Sequence, residues 1–167
     1  MKFFIDCEFN AFGGELISMA IVADNHELYL VNSDFDLYGG NVHPWVAKNV
    51  VPLVHLDQQK RIIKNAPKIE FKKHLSRFFF DRVKSEEITI VADWYTDVEM
   101  LMNVLVGDNG GTVTLNRSRK INIEIDRNLD QSRDPLPGSR EHNALWDARN
   151  IQEDYYRRNP IGYTKSD

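Results

Sequence analysis

Asp6 and Glu8 stand two residues apart in the apolar run "KFFIDCEF". Side chains at i and i+2 on a strand point the same way, so the two acids share one face, and Phe3, Ile5, Cys7 and Phe9 share the other. Taken alone, a strand with one solvated face is the commoner explanation. Paired acids at the mouth of a strand are also suitable ligands for a hard divalent cation, which wants carboxylate oxygens. A second acid group follows the apolar run in "ITIVADWYTDVEML", where Asp93 ends the run and Asp97 stands at the start of a helix. Capping that helix explains Asp97 as well as chemistry does, and Thr96 could equally fill the cap. The third group is "HNALWDA", residues 142–148. Five residues of helix turn about 140°, so His142 and Asp147 do not share a helix face. They serve one site only if His142 precedes the helix or sits in its first turn, which the loop "DPLPGSRE" upstream permits. On its own, His142 reads as a surface histidine near a helix start.

In this order and at these distances, the three groups resemble the DEDDh exonucleases, the histidine-bearing branch of the RNase H-like 3′–5′ exonucleases. D-x-E at the end of the first strand matches Asp6 and Glu8. The middle motif of that family is often an Asn followed four residues later by an acid. Here Asp97 holds the acid position and Asp93 replaces the Asn. H-x-A-x-x-D-A matches "HNALWDA" in full, with His142 and Asp147. The resemblance runs from residue 2 to about 158. Within the family, "IDCEFNAFGGELIS" and "HNALWDAR" are most similar to a small bacterial and phage exoribonuclease group.

That resemblance implies a single exonuclease domain over residues 1–167 (core about 2–158, then a short tail) and an RNase H-like mixed sheet. It implies hydrolysis of the terminal phosphodiester at a nucleic-acid 3′ end, releasing nucleoside 5′-monophosphates. RNA is the favoured substrate; DNA is the alternative, and a non-catalytic end-binding protein is a further one. It implies catalytic Asp6, Glu8, Asp97, Asp147 and His142. Asp6 would be shared by two ions, Glu8 and Asp147 would complete one ion's site, Asp97 would support the other, and His142 would deprotonate the attacking water. Two carboxylates ~4 Å apart repel by about 4 kcal/mol at an effective dielectric near 20, so a four-acid cluster needs cations. Two Mg²⁺ or Mn²⁺ ions suit an all-oxygen shell. Histidine suits a general base because its unperturbed pKa is near neutral. Candidate substrate contacts are Phe9 and Phe12 beside the loop after the acids, Glu15 and Ser18 at the start of the second strand, and Trp94 beside the second motif. Core packing is the commoner role for Phe9. "RSRK" (117–120), Arg133 and Arg140 offer positive charge that serves either phosphates or a solvated loop. A homodimer is possible by analogy.

The elements that must position these residues are legible from periodicity. "KFFIDCEF", "ELISMAIVA" and "ELYLVN" read as strands separated by the tight turns "NAFGG" and "DNH", an antiparallel meander. "NVHPWVAKNVVPLV" reads as partly helical, interrupted by Pro44 and Pro52. From Pro67 to Val83 the apolar spacing is helical. "EITIVAD" is a buried strand and "DVEMLMNVLV" a helix ended by "GDNGG". "KINIEID" is a strand, "RDPLPGS" a loop, and "HNALWDARNIQEDYYRRN" a helix stopped by Pro160. Strands mixed with helices in this order predict an α/β layer fold.

The 167 residues suit one domain and are 42% hydrophobic and 28% charged. A net charge of −4 argues against broad coating of duplex DNA, which uses many basic phosphate contacts. It leaves room for a pocket that takes one nucleic-acid end through metal ions. One cysteine excludes an internal disulfide and fits a reducing cytoplasm. No membrane span and no secretory leader are expected.

Overall fold

Phe3, Phe4 and Ile5 are all fully buried, so β1 (Lys2–Phe9) is covered on both faces. That explains an apolar run where a half-exposed strand would alternate. The computed structural model describes residues 1–56, 63–82, 87–106, 120–129, 136–138 and 140–160. These form an α/β arrangement in which helices flank a six-stranded mixed sheet.

The remaining strands are β2 (Leu16–Ala23), β3 (His26–Asn32), β4 (Ile63–Ala66), β5 (Glu87–Ala92) and β6 (Lys120–Ile125). The sheet order is β4-β3-β2-β1-β5-β6. β1, β2 and β3 are the expected antiparallel meander, while β4, β5 and β6 pair in parallel with their neighbours. The strand β4 was not expected. Its sequence is IKNA, too short and too polar to show a period of two.

The helices are α1 (Pro44–Asn49), α2 (Lys68–Arg82), α3 (Tyr95–Val106) and α4 (Ala144–Arg158). A 3₁₀ turn at Val51–Leu53 follows α1, where Pro52 stops regular helix. Phe3, Ile5 and Cys7 face α2 and α3, packing with Phe71, Leu75, Phe79 and Leu101. Phe4 faces the other way, toward α1 and α4, with Val46, Leu145 and Ile151. Asp6 and Glu8 continue the Phe4 face by the period of two, which directs them to the α4 side. Arg149 of α4 donates two 2.6 Å hydrogen bonds to Glu27 of β3 and ties that helix to the sheet.

Ile121, Ile123 and Ile125 alternate as expected, but the alternation faces outward. They are 36%, 48% and 45% exposed on the edge strand β6. The "GDNGG" helix stop, residues 117–119, Arg133, most of the 133–139 loop, Val83 and the 161–167 tail lie outside the described residues. No helix among the described residues is long and apolar enough to cross a membrane.

Asn143 fixes where α4 begins. Its side-chain oxygen accepts from the Trp146 N–H, and its Nδ2 donates to the Leu53 carbonyl at 2.7 Å. Asn143 is nearly fully buried, so removing it leaves the Leu53 carbonyl and the helix terminus unsatisfied. Asn143→Ala is expected to cost about 1–3 kcal/mol, read as a melting temperature lowered by about 3–10 °C. An unchanged melting temperature would show that water replaces both bonds.

Candidate metal centre

The pairing of β1 with β5 brings two acid groups to one sheet edge. The parallel rungs run Lys2–Thr89, Phe3–Ile90 and Phe4–Val91. Two residues beyond the last of these rungs stand Asp6, still in β1, and Asp93, just past the end of β5, so the register that aligns the apolar runs brings the acids after them to one end of the sheet. β1 has its antiparallel partner β2 on one side and its parallel partner β5 on the other. A crevice beyond the carboxyl ends of strands at such a reversal is where open α/β sheets bind ligands.

Two groups of three carboxylates result. Asp6, Glu8 and Asp147 form one, and Asp6, Asp93 and Asp97 form the other. In each, three ligand oxygens lie within 4.8 Å of one another, and Asp6 belongs to both. Asp147 comes from the first turn of α4 and Asp97 from the first turn of α3, both buried. Asp97 is held from an unexpected direction: its Oδ1 accepts the backbone N–H of Cys7 at 3.1 Å. Strand β1 thus supplies ligands on one face and, through its backbone, fixes a ligand carried by α3. The Cys7 thiol is buried as expected, and burial pushes its pKa well above the usual thiol range.

The cluster is electrostatically costly without cations. Burial raises the Asp6 pKa well above the ordinary carboxylate value, and Asp97, Asp147, Glu8 and Asp93 raise it further. Burial, then Asp93, raises Asp97 to about 8, against the opposing Cys7 N–H bond. Asp93 is also raised by burial, opposed by backbone N–H groups and by Arg127. These folded-state acids hold protons that the unfolded chain releases. For Asp97 the resulting contribution to stability is complete below the ordinary carboxylate pKa of 3.8 and is lost as pH rises through about 8; for Asp6 and Asp93 it is lost as pH rises above the ordinary carboxylate range. Metal-free protein is expected to melt at progressively lower temperature from about pH 5 to pH 8. Saturating Mg²⁺ should flatten or reverse that slope. A melting series in chelator and in Mg²⁺ checks it, and parallel curves would sink the reading.

The donor set fits a hard cation. Every side chain in both groups is a carboxylate, the ligand type that Mg²⁺ and Mn²⁺ take. Two buried polar atoms beside these acids, Asp93 Oδ1 and Ser18 Oγ, have no hydrogen-bond partner among the described residues. Ser18 stands directly across from Glu8 in the β1–β2 ladder.

His142 lies where the helix geometry required, in the turn before α4, and is in neither carboxylate group. Its backbone takes φ +66°, uncommon for a residue other than glycine. Its ring meets Trp45 edge-on, with centroids 4.8 Å apart, and its Nε2 is 3.7 Å from the Glu141 carboxylate. Trp45 attracted no chemical reading from sequence because nothing local links it to residue 142. Asn10 makes the link: its Oδ1 accepts from the His43 N–H at 2.8 Å and its Nδ2 donates to the Asn41 carbonyl at 2.9 Å. The end of β1 thereby anchors the segment that carries Trp45. Gly14 permits this turn, because a Cβ there would meet the Asn10 carbonyl oxygen at 1.7 Å.

The candidate substrate contacts divide. Phe9 packs against the core on the α2 and α3 side. Phe12 is exposed at the turn, and Glu15 is exposed just before β2. Ser18 is fully buried. Trp94 is partly exposed, with the Arg127 guanidinium 3.1 Å from its ring centroid. Arg140 is exposed in the turn before α4. Of the acids, Asp93 had been read only as a replacement at the usual Asn position. The signal that could have found it is the placement of Asp93, like Asp6, directly after an apolar run.

Compared with known proteins, no family model matches the chain, and no curated protein does. The functional reading stands on the residues and their geometry.

Proposed function

We propose that this chain is a divalent-cation-dependent 3′–5′ exonuclease of the DEDDh type, with an RNase H-like fold and RNA as the favoured substrate. The observation that carries the reading is the sharing of Asp6 by two three-carboxylate groups. Two-ion phosphodiesterases hold their ions ~3.5–4 Å apart, and a carboxylate common to both groups would suit so short a separation. The division of the other acids supports it: Glu8 and Asp147 fall with Asp6 on one side, and Asp97 falls with it on the other.

Glu8, Asp147 and Asp6 would hold one ion, and Asp97 and Asp6 the other. Bound Mg²⁺ or Mn²⁺ supplies Lewis-acid activation of water and neutralises charge on the phosphodiester. His142 takes the proton of the attacking water as the new oxygen–phosphorus bond forms. The bond from phosphorus to the 3′ oxygen of the penultimate nucleotide breaks, and that oxygen takes a proton from solvent. The Trp45 ring restrains the imidazole plane, and the φ +66° turn sets the imidazole apart from the helix that carries Asp147. Phe12 offers an exposed aromatic face of the kind on which single-stranded bases stack, and the partly exposed Trp94 ring already carries the Arg127 guanidinium.

The deciding experiment follows 5′-labelled RNA and DNA of equal sequence, with and without Mn²⁺, against an Asp6→Ala control. Stepwise shortening of RNA that needs both Mn²⁺ and Asp6 supports the proposal. Faster shortening of DNA assigns the substrate to DNA. Retention of labelled ends without any shortening identifies an end-binding protein and overturns catalysis.

A further inference from the structure

We propose that Asp93 is a direct ligand of the ion held by Asp6 and Asp97, so that five carboxylates load both ions before nucleic acid arrives. The inference rests on the metal-dependent reading above. Three observations carry it. The first is position: the Asp93, Asp97 and Asp6 oxygens lie within 4.8 Å of one another. The β1–β5 register explains this, since it brings Asp93 and Asp6 to one end of the sheet.

The second is the state of the carboxylate. Backbone N–H groups of Asp93 and Trp94 act on the carboxylate, but its Oδ1 is enclosed and has no hydrogen-bond partner among the described residues. Pairing with Arg127 is the bland alternative, but the Arg127 guanidinium lies over the Trp94 ring and does not bond that oxygen. An enclosed carboxylate oxygen without a partner is unfavourable unless a cation or an ordered water meets it.

The third is independent of the acids. Ser18 is 0% exposed, and its Oγ is also without a partner. It sits opposite Glu8, on the face where the cluster forms. Neighbours directly across a ladder point to the same side of the sheet, so this hydroxyl is aimed at the cluster. A water on an ion held by Glu8, Asp147 and Asp6 would satisfy a buried hydroxyl in that place. Orphaned polar atoms therefore occur in both ion groups, beside Glu8 and on Asp93.

The chemical consequence follows from charge. An Asn at position 93 would offer a neutral carbonyl oxygen and leave two carboxylates for that ion. Asp93 supplies a third and makes the two positions equal in carboxylate number. An ion position with three carboxylates needs no phosphate from the substrate to complete its charge.

The test counts Mn²⁺ on nucleic-acid-free protein by calorimetric titration, comparing wild type with Asp93→Asn. Wild type is expected to bind two ions per chain. Asp93→Asn should keep one at unchanged affinity and weaken the other at least ~10-fold, since even indirect supporting groups are worth that much. Metal-free Asp93→Asn should melt at or above the wild-type temperature, which separates lost coordination from lost folding. If Asp93→Asn binds two ions with wild-type affinities, this inference fails and the nuclease reading stands. A wild type that binds its second ion only after nucleic acid is added also overturns it. A wild type that binds no Mn²⁺ overturns both.

Discussion

Asp6→Asn is expected to abolish nucleotide release while making the metal-free protein more stable. The two effects have opposite sign because Asp6 sits in both carboxylate groups. With ions bound, its charge is shared between two positions, and losing it weakens both. Metal-ion stabilisation of charge in such reactions is worth several kcal/mol. Each 1.36 kcal/mol is tenfold in rate, so turnover should fall by at least ~10³-fold. Without ions, Asp6 is a half-buried acid beside four others; desolvation first, and then their charges, hold its pKa well above the ordinary value. An amide of the same shape removes that repulsion. Melting curves in chelator should therefore rise for Asp6→Asn, and the rise should grow as pH climbs above the ordinary carboxylate range, because the Asp6 pKa is raised well above it. Mg²⁺ should raise the wild-type melting temperature and leave the variant nearly unmoved. A variant that is less stable in chelator would mean that the carboxylate is structural.

His142→Asn is expected to separate metal binding from turnover. Asn is the suitable replacement because it tolerates the left-handed backbone that His142 adopts at φ +66°, which Ala would adopt under strain. His142 is in neither ligand group, so Mn²⁺ affinity should be unchanged. Removing a positioned general base costs about 10²–10⁴-fold in rate. Turnover at saturating Mn²⁺ should fall by that amount, with substrate affinity retained. Wild-type turnover at saturating Mn²⁺ would remove His142 from the chemistry. The contact between His142 and Trp45 then gives a second comparison. Trp45→Ala should lower turnover less than His142→Asn does, because it frees the ring and leaves the base in place.

Much of this site is local in origin, and that is why it was readable. The period of two sends Asp6 and Glu8 to one face regardless of what pairs with β1. If His142 and Asp147 serve one site, their five-residue offset requires the histidine before the helix or in its first turn, and the structure starts α4 at Ala144 with His142 in the turn before it. The three-strand meander and the helices after Pro67, after Trp94 and after Asn143 follow from apolar spacing and turn residues in the same way.

Other features depend on contacts between distant segments, and local sequence does not carry them. β4 exists because the edge of β3 offers hydrogen bonds to four residues that have little strand character of their own. Ile121, Ile123 and Ile125 look like a core face by alternation, yet their place on the outer strand leaves them partly exposed. Asp97 looked equally like a helix cap until the Cys7 N–H was seen to hold it. Trp45 reaches His142 only because Asn10 anchors the segment before α1. The sequence by itself put Asp6 and Glu8 on one face of β1 and set Asp93, Asp97 and Asp147 at the end of an apolar run or near the start of a helix. Only the tertiary structure decided that Asp6 is common to two acid groups and that Asp93 joins one, because both depend on the register of β1 against β5, set by packing across 86 residues of chain.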